Sequence, residues 1–106
     1  PDVTLARVVD GDTVDVLVDL GFRSYAKVRV RLHDIDAPEV YGPDKPAGEL
    51  ARETLAQTLT GRPFTLRCFG KDPEKYGRWV GDISVAGEWV CATMVERGLA
   101  VRKVWA

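Results

Sequence analysis

The chain has 106 residues, which is the size of one domain with a single hydrophobic core. Its apolar and charged fractions are ordinary for a globular protein, and no apolar stretch is long enough to cross a bilayer. A net charge of −1 argues against a non-specific nucleic-acid coat, whose affinity comes from neutralising phosphates, but it permits a local cationic site. We therefore expect one domain over residues 1–106, with no membrane partner.

The first third of the chain is predicted to form three strands. Residues 3–9 are rich in β-branched side chains and end at Asp10-Gly11, a strong hairpin-turn signal. Valines recur at every second position in residues 14–18, which indicates a second strand. In residues 26–32 apolar and basic residues alternate, so the strand has one apolar face and one cationic face. Arg31 is the last basic residue of that strand and is expected to point away from the core.

The rest of the chain is predicted to contain two helices and two further strands. Residues 40–48 hold two glycines and two prolines and are predicted to be a loop. The elements predicted after it are a helix at 49–59, a strand alternating through Phe64, Leu66 and Cys68, a polar turn at 70–78, a strand at 79–85 and a short helix at 90–97.

This order of elements predicts the fold class. Strands that come before and after a helix, without strand–helix–strand alternation, are typical of the α+β class with an antiparallel sheet. Five short strands, with a helix after strand 3 and a short helix after strand 5, fit a five-stranded, partly open OB-type β-barrel.

The single histidine and the two cysteines are given ordinary roles. One histidine and no Cys-x-x-Cys pair argue against a zinc site. Cys68 and Cys91 have apolar neighbours and are predicted to be buried free thiols. His33 is interpreted as a satisfied or exposed side chain, because metal-dependent phosphohydrolases of the His-Asp type need several histidines.

Two acidic segments contain carboxylates suited to a divalent cation. Asp12 follows the tight turn, and Asp36 follows the cationic strand. If those strands are neighbours, both carboxylates can converge on one hard cation such as Ca²⁺, which prefers oxygen ligands. Taken alone, Asp10-Gly11 is equally well explained as an ordinary hairpin turn.

A third carboxylate and two arginines complete a set suited to phosphodiester hydrolysis. Glu39 follows Asp36 across a short link that Pro38 stiffens and extends, so Glu39 can lie near the ion without binding it. There it can orient or deprotonate an attacking water, although alone it would be read as a surface carboxylate. Arg31 and Arg78 supply planar guanidiniums, each able to grip two phosphate oxygens.

Four segments of the chain, in this order and spacing, resemble the staphylococcal nuclease (thermonuclease) family. The resemblance runs from about Val3 to Val101, and its segments are residues 9–14 (VDGDTV), 30–39 (VRLHDIDAPE), 75–78 (KYGR) and 95–100 (VERGLA). Members of this family have an OB-fold barrel and cleave DNA and RNA with Ca²⁺, and the resemblance implies the same here.

The resemblance also implies a role for each matching residue. Asp12, Asp36 and the backbone carbonyl of Ala37 are implied to bind calcium; Glu39 to be the general base; Arg31 and Arg78 to hold and stabilise the phosphate; and Lys75 and Tyr76 to lie near the terminal phosphate of the substrate. The archetype of the family has base-packing tyrosines after the Gly-Leu-Ala segment. Here that region has no tyrosine, and Trp105 is the residue of it that can stack on a base instead.

Residues and resemblance together predict a calcium-dependent phosphodiesterase or endonuclease that acts as a monomer. We expect it to cleave DNA and RNA, with single-stranded or frayed strands favoured, and the resemblance implies 3′-phosphate products. Little sequence specificity is expected, since every implied catalytic contact goes to phosphate. Secretion and a cytoplasmic location both stay open. The alternative is a non-catalytic OB-fold module that binds nucleic acid or protein, because fold alone does not settle function. Such a degenerate copy should have lost a catalytic side chain, and all five are present: Asp12, Arg31, Asp36, Glu39 and Arg78.

Overall fold

The first part of the structure is a run of three antiparallel strands. The computed structural model describes residues 3–72 and 77–103. The three strands are β1 (Val3–Asp10), β2 (Thr13–Gly21) and β3 (Ser24–Leu32). Asp10 pairs with Thr13 across the first turn, which confirms the hairpin predicted from Asp10-Gly11.

The second part of the described chain holds two helices and five strands. These elements are β4 (Ile35–Asp36), a 3₁₀ turn (Gly42–Asp44), α1 (Lys45–Leu59), β5 (Thr65–Lys71), β6 (Arg78–Val85), β7 (Glu88–Trp89), α2 (Val90–Glu96) and β8 (Val101–Arg102). The prediction of a loop through residue 48 is wrong at its end, since α1 begins at Lys45. Pro46 lies in the first turn of α1, where a missing N–H removes no helical hydrogen bond.

The main sheet has the strand order β1-β2-β3-β6-β5, and it curls into a half-barrel against the two helices. These five strands are the five that were predicted, so the α+β, OB-type architecture is confirmed. The prediction of an antiparallel sheet is wrong at one place, because β3 and β6 run parallel, from the Arg29–Arg78 pair to the Leu32–Gly81 pair. The short β7 pairs with β6, and β4 pairs with β8 in a separate ladder.

The hydrophobic core lies between the main sheet and the two helices. Helix α1 contributes residues at a spacing of four, which places them on one face. The fully or nearly fully buried apolar residues include Val14, Val16, Val30, Leu32 and Ile83 from strands, Ala51, Leu55 and Leu59 from α1, and Val90 and Met94 from α2. Neither of the two helices in the described ranges has the length and apolar character needed to cross a membrane.

The two cysteines differ in their surroundings. Cys91 is buried and its Sγ donates to the carbonyl oxygen of His33 at 2.8 Å, while burial raises the pKa of the thiol. Cys68 is exposed, so the prediction that it is buried is wrong. The regular pairing of β5 with β6 breaks between Cys68 and Gly70, and such an irregularity interrupts the alternation that the sequence pattern assumes.

Candidate active site

Arg31 lies at the centre of a buried cluster of opposite charges. Its side chain is 6% exposed, although it points away from the core. Its Nη2 donates to Oδ1 of Asp36, and its Nη1 lies 3.5 Å from Oδ2 of Asp12. Nη1 also donates to the carbonyl oxygen of Leu32 at 3.0 Å. The two carboxylates predicted to bind metal therefore converge on one guanidinium.

Backbone hydrogen bonds bring the two carboxylates to this place. The N–H of Asp12 donates to Oδ1 of Asp10 at 3.1 Å, which stabilises the β1–β2 turn. The carbonyl oxygen of Asp12 accepts from the N–H of Leu32 at 2.7 Å, so the turn is joined to the end of β3. Asp34 then adopts a left-handed conformation with φ of 66°, and the chain enters β4 at Ile35, so that Asp36 is the last residue of that strand.

The carboxylate of Asp12 is buried beside another carboxylate. Burial, and to a lesser extent the neighbouring Asp10, raise its pKa to about 6, against the opposing effects of the Ala37 N–H and Arg31. The Ala37 N–H donates to Oδ2 of Asp12 at 2.7 Å, and the Thr13 hydroxyl donates to Oδ1 at 3.0 Å. Negative charge at this position is therefore only partly balanced by Arg31, and a bound cation would favour the ionised carboxylate.

The donor atoms fit a hard cation such as Ca²⁺. Asp12 and Asp36 offer only oxygen, and the Asp36 side chain is 51% exposed, so solvent reaches the site. Among residues 3–72 and 77–103 no group of three His, Cys, Asp or Glu side chains is close enough to hold a metal. The remaining positions would belong to water and backbone carbonyls, which Ca²⁺ accepts. The carbonyl of Ala37 as a ligand stays a prediction.

Helix α1 contacts the segment that carries Glu39. Glu39 is exposed, and its carbonyl oxygen lies where a Cβ at Gly48 of α1 would be only 1.9 Å away. A Cβ at Gly11 would likewise lie 2.7 Å from the Cβ atoms of both Ala37 and Ala51. The sequence reasoning missed Gly48, although a glycine inside a helical pattern is a signal of close packing, since it lowers helix stability by about 1 kcal/mol.

Arg78 lies on the same sheet face as Arg31 but is held by a different carboxylate. Arg31 pairs with Val80 in the parallel β3–β6 ladder, and Arg78 is two residues before Val80. The Nε of Arg78 donates to Oδ2 of Asp72, whose side chain is fully buried. The structure thus places Arg78 beside the Arg31 cluster without bringing it into the cluster. Asp72 was missed in the sequence, where no spacing or motif distinguishes it.

The two predicted substrate-binding residues come between β5 and β6 in the sequence. Lys75 and Tyr76 lie outside the described residues, as does Trp105. The N–H of Asp72 donates to the carbonyl oxygen of Arg78 at 2.8 Å. This backbone hydrogen bond and the ion pair join Asp72 to Arg78, the described residues on either side of that segment.

The other basic residues of β3 lie outside the cluster. Arg29 donates to both oxygens of the buried Asp15, at 2.8 and 3.1 Å, and this hydrogen bonding holds the pKa of Asp15 below its usual value. The Lys27 side chain is 62% exposed and its Nζ lies 3.9 Å from Asp15. Of the three basic residues on this strand, Arg31 is therefore the one available to the site.

Comparison with known proteins gives a consistent family match. Residues 29–106 match the protein family described as staphylococcal nuclease homologue. Protein ParB of Escherichia coli is 40% identical over 105 residues, which is 91% of this chain and 54% of the relative. The micrococcal nuclease of Shigella flexneri is 35% identical over 105 residues, which is 91% of this chain and 55% of the relative. The probable staphylococcal-like nuclease CAN1 of Oryza sativa subsp. japonica is 39% identical over 74 residues, which is 70% of this chain and 21% of the relative. The chain thus spans about half the length of the two bacterial relatives and about a fifth of the plant one.

Proposed function

This chain belongs to the staphylococcal nuclease family, and on that premise we propose that it is a calcium-dependent phosphodiesterase that hydrolyses DNA and RNA. The observation that carries the proposal is the convergence of Asp12 and Asp36 on the buried Arg31. The function extends to internal cleavage with little sequence specificity, 3′-phosphate products, a preference for single-stranded or frayed strands, and activity as a monomer.

The metal-binding residues in this proposal are Asp12, Asp36 and the carbonyl of Ala37. When bound, Ca²⁺ supplies positive charge that neutralises the phosphate and places a water close to it. The buried position of Asp12 and the raised pKa of its carboxyl support this role. Burial and the neighbouring Asp10 disfavour the ionised form of Asp12, and a nearby cation would stabilise that form.

The protein side chains supply base catalysis and charge stabilisation. Glu39 takes the proton of the attacking water, which approaches in line with the leaving 5′ oxygen. Arg31 and Arg78 stabilise the extra negative charge of the transition state. Arg31 is nearly covered and touches Asp36, so its contact with phosphate requires that the ion pair with the half-exposed Asp36 opens.

The direct test is the hydrolysis of denatured DNA in millimolar Ca²⁺, compared with the same reaction in a chelator. We expect cleavage only with Ca²⁺, and fragments with 3′-phosphate ends, identified by their requirement for a phosphatase before polymerase extension. A folded protein that cleaves nothing in either condition would contradict the proposal and favour the binding-module alternative. Equal cleavage in both conditions would contradict the metal requirement.

Replacing Gly48 by alanine should lower the turnover number while leaving substrate affinity nearly unchanged. The added methyl group would overlap the carbonyl of Glu39, so α1 and the Glu39 segment must move apart by an ångström or more. A misplacement of about 1 Å can cost roughly 100-fold in rate. The measurement is kcat and KM on denatured DNA, together with the thermal unfolding midpoint.

A suitable control for Gly48→Ala is Gln57→Ala, since Gln57 is exposed on the same helix. The control should match the wild-type kcat. If Gly48→Ala is folded and turns over at the wild-type rate, then the packing of α1 does not position Glu39 for catalysis.

A further inference from the structure

A stack of three side chains lies beside the proposed site and has no role in the chemistry described above. The rings of His33 and Phe69 have their centroids 4.8 Å apart and are tilted by 46°. The guanidinium carbon of Arg67 lies 5.4 Å from the centroid of the Phe69 ring, which is a cation–π distance. We call His33, Phe69 and Arg67 the aromatic stack.

Core packing does not account for the aromatic stack. Phe69 is 50% exposed, and the Arg67 residue is exposed as well. Phe69 occupies the irregular step of β5 between Cys68 and Gly70, where the pairing with β6 is interrupted. A large ring left half in water forgoes much of the stabilisation that burial would give. An exposed aromatic surface beside a cluster of charged side chains is a feature typical of ligand-binding sites.

The aromatic stack lies on the same side of the sheet as Arg31. His33 is two residues after Arg31, and its N–H donates to the carbonyl oxygen of Gly81 at 2.7 Å, which continues the β3–β6 ladder. On the next strand Arg31 pairs with Val80, and Asp82, two residues after Val80, pairs with Arg67 of the stack, so Arg67 shares the face of Arg31. Two residues of strand correspond to about 6.6 Å, so the stack borders the Arg31 cluster.

We propose that the aromatic stack is a subsite for one unpaired base of the nucleic-acid strand whose phosphate lies at Arg31; this rests on the proposed function. Unpaired bases stack on aromatic rings and on guanidinium planes, and every base has a face that can do so. In the described part of the chain Arg67 forms no ion pair, which leaves its charge available to a backbone phosphate.

The aromatic stack gives a physical reason for a preference between strand forms. A base held inside a duplex is covered by its neighbours and cannot reach Phe69, whereas a base in a single strand or at a frayed end can. Because stacking tolerates all bases, the subsite would favour unpaired strands without adding sequence specificity.

The test is the binding of a fluorescein-labelled thymidine oligonucleotide of about eight nucleotides, measured by fluorescence anisotropy in a chelator so that no cleavage occurs. We expect Phe69→Ala to weaken binding about 10-fold, within the range seen when stacking aromatics are truncated. Phe69→Trp keeps a ring and should bind at least as tightly as the wild type. For a hairpin duplex without frayed ends, the affinities of the Phe69→Ala variant and the wild type should differ by less than about twofold.

Phe22→Ala is the matched control. Phe22 is fully exposed at the β2–β3 turn, seven or more residues along β3 from Arg31, or over roughly 23 Å of strand. The Phe22→Ala substitution should leave the affinity for the oligonucleotide unchanged. A series of oligonucleotides with one abasic position each adds a second control, since removal of the stacked base should abolish the difference between Phe69→Ala and the wild type.

Three results would overturn the proposed subsite: wild-type binding by Phe69→Ala, an equal loss on the duplex and on the abasic strands, or a Phe69→Trp variant as weak as Phe69→Ala. The calcium-dependent cleavage assay on the wild type is separate from these measurements. A wild type that binds through Phe69 but does not cleave would support the subsite and contradict the proposed hydrolysis. A wild type that cleaves, with a fully active Phe69→Ala and unchanged binding, would contradict the subsite alone.

Discussion

Replacement of Glu39 by glutamine should lower the turnover number by roughly 10²- to 10⁴-fold, the range for removal of a general base. Glutamine keeps the shape of the side chain but cannot accept the proton of the attacking water. Glu39 is exposed and no side-chain hydrogen bond of the described residues depends on it, so the fold and the Asp12–Arg31–Asp36 cluster should persist. The measurement is kcat on denatured DNA at saturating Ca²⁺.

Two further measurements identify the step that Glu39→Gln affects. Calcium affinity, measured by calorimetry, should stay within about twofold of the wild type, because Glu39 is not a proposed ligand. Glu53→Gln removes an exposed carboxylate from α1 and should turn over normally. Normal turnover by Glu39→Gln would remove Glu39 as the base, and a large loss of calcium affinity would make it a ligand instead.

Replacement of Asp36 by alanine should raise the Ca²⁺ concentration needed for half-maximal activity by more than roughly 100-fold. Loss of residues that merely orient metal ligands already costs 10- to 100-fold in affinity, and Asp36 is proposed to be a ligand itself. The Asp36 side chain is half exposed, so its removal should leave the domain folded. The measurement is a calcium titration of activity, with calorimetric binding in the absence of substrate.

Asp44→Ala is the matched control for Asp36→Ala. Asp44 is exposed, and although it precedes helix α1 its side chain makes no capping hydrogen bond there. Its removal changes the net charge by the same amount and should leave the titration unchanged. If Asp36→Ala titrates like the wild type, Asp36 is not a calcium ligand; if Asp44→Ala shifts equally, the effect is one of net charge.

The elements with clear periodicity were the predictable part of the fold. Two such patterns are the alternation in β2 and β3 and the spacing of four residues between Ala51, Leu55 and Leu59. Each depends on the local sequence alone. The start of α1 was misplaced, because Pro46 was taken as a loop signal although a proline in the first turn is compatible with a helix. The parallel β3–β6 pairing has no local signature, since it depends on how distant segments meet.

The candidate site was predictable in its residue types but not in its contacts. Asp12, Arg31 and Asp36 were named from motif and strand order, and the structure brings these three together. The burial of Arg31 did not follow from the alternation, because the side chain is covered by the β1–β2 turn rather than by the core. The exposure of Cys68 follows from the irregular β5 step, which alternation assumes to be absent.

The parallel pairing of β3 with β6 also determines when the parts of the site can form. Asp12, Arg31 and Asp36 come from one contiguous segment of two hairpins and a short strand, so their contacts require only local chain closure. Arg78 comes to lie beside them only when β6 pairs with β3, which closes a loop of about fifty residues and carries a larger entropic cost. Contacts of high sequence separation form slowly in folding. The carboxylate cluster is therefore expected to form early in folding, and Arg78 is expected to take its place when β3 and β6 pair. A partly folded chain would then hold the proposed cation-binding residues before the second proposed phosphate-binding arginine is in place.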